Sequence, residues 1–100
     1  MSERREFLRV PVNAEVRFHS LPDGEENRGF VRNISGSGIL FSSDNIFEPG
    51  TLLNLEVVAP DPNQSAGEPK PLRATVRLVR VIGSEPPYDL AAEFIQLDLP

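Results

Sequence analysis

Arg4-Arg5-Glu6-Phe7-Leu8-Arg9 puts three guanidinium groups within six residues, close to the start of the chain. A second polar cluster follows at Asn33-Ile34-Ser35-Gly36-Ser37-Gly38, with an amide, two hydroxyls and two glycines. The arginine fork matches phosphate oxygens, reaches the O6 and N7 acceptors of guanine, and can lie over a purine face. Each charge-assisted contact to phosphate is worth about 1.5–3 kcal/mol. Asn33 and Ser35 could hydrogen-bond a purine edge or a phosphate, while Gly36 and Gly38 would let backbone approach a ligand without a Cβ. Together the clusters suit a small ligand that carries phosphates and purine edges.

Each cluster also has a plain structural reading. Arg4, Arg5 and Arg9 would form a solvated basic end, paired loosely with Glu3 and Glu6. Asn33 to Gly38 would be a polar turn in which glycine supplies positive φ and Ser and Asn bond nearby backbone. Val10-Pro11-Val12 follows the arginines, and proline disfavours helix just upstream, so the basic segment reads as an extended or turned arm.

The elements that must position these residues are strands. Ten prolines, seven glycines and short alternating apolar runs argue against helices. Val12, Ala14, Val16 and Phe18 alternate as a half-buried first strand, and Leu21 to Asn27 is a turn in which Asp23-Gly24 supplies positive φ. Gly29–Ile34 and Gly38–Ser42 read as the second and third strands, with the Ser35–Gly38 corner between them. Phe47, Pro49 and Gly50 make a further turn before a fourth strand, Leu52–Ala59. Pro60 to Pro71 holds four prolines and no periodicity, the pattern of a long loop.

Leu72, Ala74, Val76 and Leu78 then alternate, after which the apolar phase moves to Val79 and Val81. That shift of one residue predicts a β-bulge in a long, bent fifth strand. Pro86-Pro87 ends it, and Leu90–Leu97 forms the last strand, with Leu90, Ala92 and Phe94 on one face. Six strands at this spacing predict a small antiparallel barrel or sandwich, and closure would hide the strand edges.

Composition narrows the function. One hundred residues with 39% apolar content make one domain with a single modest core. The net charge of −5 argues against general affinity for DNA or RNA. Nine of the ten basic residues are nevertheless arginine, Lys70 being the exception, and the positive charge is focused at the arm. An OB-like barrel for single-stranded nucleic acid would need aromatic platforms on a basic groove, whereas most of the six Phe and one Tyr fall at core positions.

No enzyme is expected. His19 is the single histidine, at a strand end beside a turn, and reads as a surface or capping residue. With no cysteine and no carboxylate cluster of suitable spacing, neither a metal site nor a cofactor is expected. No apolar stretch approaches the ~20 residues of a membrane span and no signal peptide is apparent, so membrane insertion is not expected and the cytoplasm is the expected location.

An RRxxxR arm before the first strand, followed by NxSxxG between strands two and three, resembles the PilZ family. Arg5 and Arg9 match its RxxxR element, Arg4 is the extra leading arginine of many members, and Asn33, Ser35 and Gly38 match (D/N)xSxxG. Tyr88-Asp89-Leu90-Ala91-Ala92-Glu93-Phe94 is similar to the family's last strands. The resemblance implies a six-stranded antiparallel split barrel over residues 1–100, with 1–10 a flexible ligand-binding arm and 11–98 the barrel. The C-terminal helix of many members would be absent.

The resemblance further implies a receptor for the bacterial second messenger cyclic di-GMP. Arg5 and Arg9 would clamp its phosphates and guanines, and Asn33 and Ser35 would address base and phosphate from the barrel, with Gly38 permitting the corner. In the family an arginine at the Arg4 position tends to accompany two mutually intercalated ligand molecules. Asn33 takes the neutral alternative of its position, so it accepts from guanine without the charge assistance an aspartate would give. A barrel has no effector activity of its own, so ordering of the arm would signal to a protein partner. The alternative is a PilZ-like adaptor that binds protein without nucleotide.

Overall fold

The computed structural model describes residues 13–58 and 72–98. The arm, with Arg4, Arg5 and Arg9, and the proline-rich segment Pro60 to Pro71 lie outside the described residues.

Six strands form: β1 Glu15–Ser20, β2 Asn27–Ile34, β3 Gly38–Ser43, β4 Leu52–Val58, β5 Leu72–Ile82 and β6 Tyr88–Asp98. All ladders are antiparallel, and the sheet closes as a barrel in the order β1-β2-β3-β6-β5-β4. Closure comes from β1, which pairs with β2 on one side and β4 on the other, so every strand has two partners. The described residues contain no helix.

Alternation dictates the interior. Val16 and Phe18 of β1, Leu53, Leu55 and Val57 of β4, and Leu72, Ala74, Val76 and Leu78 of β5 all point inward and are buried. Phe18 and Phe41 pack edge to face at the centre, with ring centroids 4.9 Å apart, and Phe47 closes one end at 6.1 Å from Phe18. Two serines enter this apolar wall with their hydroxyls satisfied: the Phe30 amide donates to Ser42 Oγ at 2.9 Å, and Ser43 Oγ donates to the Asn45 carbonyl at 2.7 Å.

The alternation breaks in three places. The expected bulge in β5 is present, between Leu78 and Arg80, with Val79 the extra residue. A second lies in β2 between Val31 and Asn33, and a third falls in β6 around Ile95, opposite Thr75 and Val76. At each, two consecutive residues face out where one would otherwise do so: Arg32 and Asn33, Val79 and Arg80, Ile95 and Gln96.

One turn differs from expectation. Among the described residues the glycines with positive φ are Gly50 and Gly83, and Gly24 is not one of them. The β1–β2 turn instead closes when the Gly24 amide donates to the Ser20 carbonyl at 2.8 Å, which brings the chain so near that a Cβ on Gly24 would strike Ser20. Glycine is needed there for space rather than for a left-handed conformation.

Candidate functional site

The corner between β2 and β3 is tied by its own polar groups. The Ser35 amide donates to the Gly38 carbonyl at 2.9 Å, and the Ser37 amide donates to Ser35 Oγ at 3.3 Å. The Ser35 and Ser37 hydroxyls lie 3.3 Å apart, and the Ser37 carbonyl accepts from the Phe94 amide at 2.9 Å, anchoring the corner to β6. Ser35 therefore has a structural duty in the turn while its hydroxyl remains exposed.

The glycines of this corner do not supply positive φ. Gly36 has open space where a Cβ would sit, whereas a Cβ on Gly38 would collide with the Ala92 carbonyl oxygen. Gly38 pairs with Glu93 across the β3–β6 ladder, and its missing side chain lets the two strands close there.

Asn33 owes its outward orientation to the β2 bulge. Val31 faces the core and strict alternation would send Asn33 there too, but the extra residue Arg32 turns it out. Arg32 itself donates from Nε to Asp89 Oδ1 at 3.2 Å. Among the described residues no hydrogen bond engages the Asn33 amide, so both its carbonyl and its NH2 are available.

Asn33, Ser35 and Gly38 share one open recess of about 320 Å³ on the outside of the barrel. The strand register defines its floor. Asn33 of β2 opposes Leu40 of β3, Leu40 opposes Ala91 of β6, and Ala91 opposes Arg80 of β5. The row thus begins with an amide, crosses a short apolar floor and ends with a guanidinium. Arg80 is absent from the residues singled out by motif. Its signal was the phase shift at Val79, since the bulge that rescues the alternation also carries Arg80 outward.

A second recess, of about 240 Å³, is lined by Arg17, His19, Glu26, Asn54 and Glu56 on the opposite part of the wall. His19 opposes Asn54 there, on a half-buried strand position. Arg17 lies 3.6 Å from Glu15 and 4.0 Å from Glu26, so its charge is offset by carboxylates. A phosphate would meet Glu26 and Glu56 in that recess, whereas no carboxylate of the described residues lines the Asn33 recess. The Asn33 recess is the better anion site.

A family model for the PilZ domain matches residues 3–100. The chain belongs to the PilZ domain family. Comparison with curated proteins and with solved structures found no match. PilZ domains are in general nucleotide-binding receptors rather than enzymes. No helix of the described residues of this PilZ domain is long and apolar enough to cross a membrane.

Proposed function

We propose that this PilZ domain is a cyclic di-GMP receptor in which the Arg4–Arg9 arm and the Asn33–Gly38 corner hold the ligand from two sides. The observation that carries this reading is the convergence of Asn33, Ser35 and Gly38 on one recess that no carboxylate of the described residues lines. At about 320 Å³ the recess is at the low end of the ~300–1,000 Å³ of small-molecule sites, so it offers one wall rather than an enclosure. The other wall falls to the arm, whose Arg5 and Arg9 would clamp phosphates and guanine faces.

Ordering a segment costs about 1–2 kcal/mol per residue, about 6–12 kcal/mol for Arg4–Arg9. All three guanidinium contacts, at about 1.5–3 kcal/mol each, together with stacking are therefore needed to hold the arm in place. Coupling binding to arm order also makes the arm a switch that a protein partner can read. Arg4 adds a third guanidinium, able to stack on a further guanine and to offset the charge of a second, intercalated ligand.

Calorimetric titration with cyclic di-GMP tests the reading. Micromolar or tighter binding, about −8 kcal/mol, is expected for the unaltered chain, with most of it lost in Arg5→Ala or Arg9→Ala. Two ligands per chain are expected, falling to one in Arg4→Ala. Absence of heat and of amide chemical-shift changes at millimolar ligand would replace the receptor by a protein-binding adaptor.

A further inference from the structure

Arg80 is the one charged side chain that lines the Asn33 recess among the described residues. We infer that Arg80 is a further ligand-binding residue, whose guanidinium holds a phosphodiester oxygen of the bound nucleotide on the β5 side of the recess, opposite Asn33. This rests on the reading of the recess as the cyclic di-GMP site.

Three observations converge on it. First, Arg80 reaches the surface because of the Val79 bulge. Leu78 faces the core, and without the extra residue Arg80 would share its inward phase; with it, Arg80 faces out and Val81 packs against the core. The β2 bulge does the same for Asn33, so two separate irregularities turn two polar side chains toward one recess.

Second, the carboxylates that could neutralise Arg80 are committed elsewhere. Asp89 and Glu93 flank Ala91, the residue opposite Arg80, on the same outward face of β6. Asp89 accepts from Arg32 at 3.2 Å, and Glu93 accepts from Arg77 Nε at 2.7 Å. Among the described residues no salt bridge reaches Arg80. Among the described residues, therefore, the Arg80 guanidinium has no ion pair for an anionic ligand to displace.

Third, the spacing fits. Asn33 and Arg80 stand at the two ends of a row that crosses four strands, three strand spacings apart, about 14 Å along the sheet. Between them lie Leu40 and the small Ala91, a shallow apolar floor on which a purine can rest while its phosphate reaches Arg80.

The test is calorimetric titration of cyclic di-GMP into the full chain, its Arg80→Met variant and its Arg5→Ala variant, each at low and at moderate salt. Arg80→Met keeps an apolar stem at an exposed position, so its urea midpoint should match that of the unaltered chain. The expected result is an affinity about tenfold or more weaker in Arg80→Met. Its salt dependence should also be shallower, as loss of a charge contact requires and a loss of packing would not produce. Arg80→Met binding within about twofold of the unaltered chain, while Arg5→Ala loses binding, would overturn the role of Arg80 and leave the receptor reading standing. No binding by the unaltered chain would overturn both.

Discussion

Gly38 and Ala92 approach so closely across the β3–β6 junction that a Cβ on Gly38 would lie inside van der Waals contact with the Ala92 carbonyl oxygen. The last residue of the NxSxxG motif is thus set by the packing of two strands far apart in the chain. Gly36, two residues earlier, has nothing near its missing Cβ.

This contrast predicts that Gly38→Ala destabilises the barrel by about 1–3 kcal/mol, the usual cost of forcing an atom into occupied space. Gly36→Ala should stay within about 0.5 kcal/mol of the unaltered chain. Urea denaturation reads both, as a shift in midpoint at constant slope. Equal stability of the two variants would contradict the close approach.

Asn33 and Ser35 should separate in the same assays. The Asn33 amide has no hydrogen bond among the described residues, so Asn33→Ala should leave the urea midpoint unchanged while weakening cyclic di-GMP binding by about 0.5–1.5 kcal/mol. Ser35 accepts from the Ser37 amide at 3.3 Å, so Ser35→Ala should lose both binding and a fraction of a kcal/mol of stability.

Phe41 is fully buried, with its ring 4.9 Å from that of Phe18. Phe41→Ala should cost about 3–5 kcal/mol, a large share of the ~5–15 kcal/mol that stabilises a domain of this size. A collapse of the thermal transition, or its loss at 37 °C, is the expected reading; a variant that melts like the unaltered chain would show that the barrel centre lies elsewhere.

Arg77 and Glu93 form the tightest ion pair among the described residues, yet their side chains are 51% and 44% exposed. Glu93→Gln should therefore cost no more than about 1 kcal/mol, and less in 1 M salt, where the Debye length is only about 3 Å. A larger, salt-independent loss would show the pair to be shielded from solvent.

Much of this arrangement is legible in the sequence. Side chains of a strand alternate with a period of two residues, so Val16, Phe18, Leu55, Val76 and Leu90 declared the inward face, and the break at Val79 declared a bulge. The β2 bulge was equally written in the sequence, since Val31 and Ile34 cannot both face inward without an extra residue between them, but Arg32-Asn33 read as ordinary polar surface. The turn at Asp23-Gly24 misled because the dipeptide commonly marks positive φ, whereas here the tight contact with Ser20 is what requires glycine.

By itself the chain's sequence determined that there are six strands, most of the residues that face in and which polar groups gather at the β2–β3 corner, because those properties depend on neighbours a few positions away. The strand ends it left to pairing, since β2 begins at Asn27 rather than Gly29 and β6 at Tyr88 rather than Leu90. Only the tertiary structure decided that β3 lies beside β6 and β1 beside β4, since barrel closure joins segments distant along the chain. From that closure follow the row Asn33–Leu40–Ala91–Arg80, the reason for Gly38, and the commitment of Asp89 and Glu93 to Arg32 and Arg77. One motif and a distant arginine became the two ends of a recess because strand pairing is a long-range choice that no local pattern records.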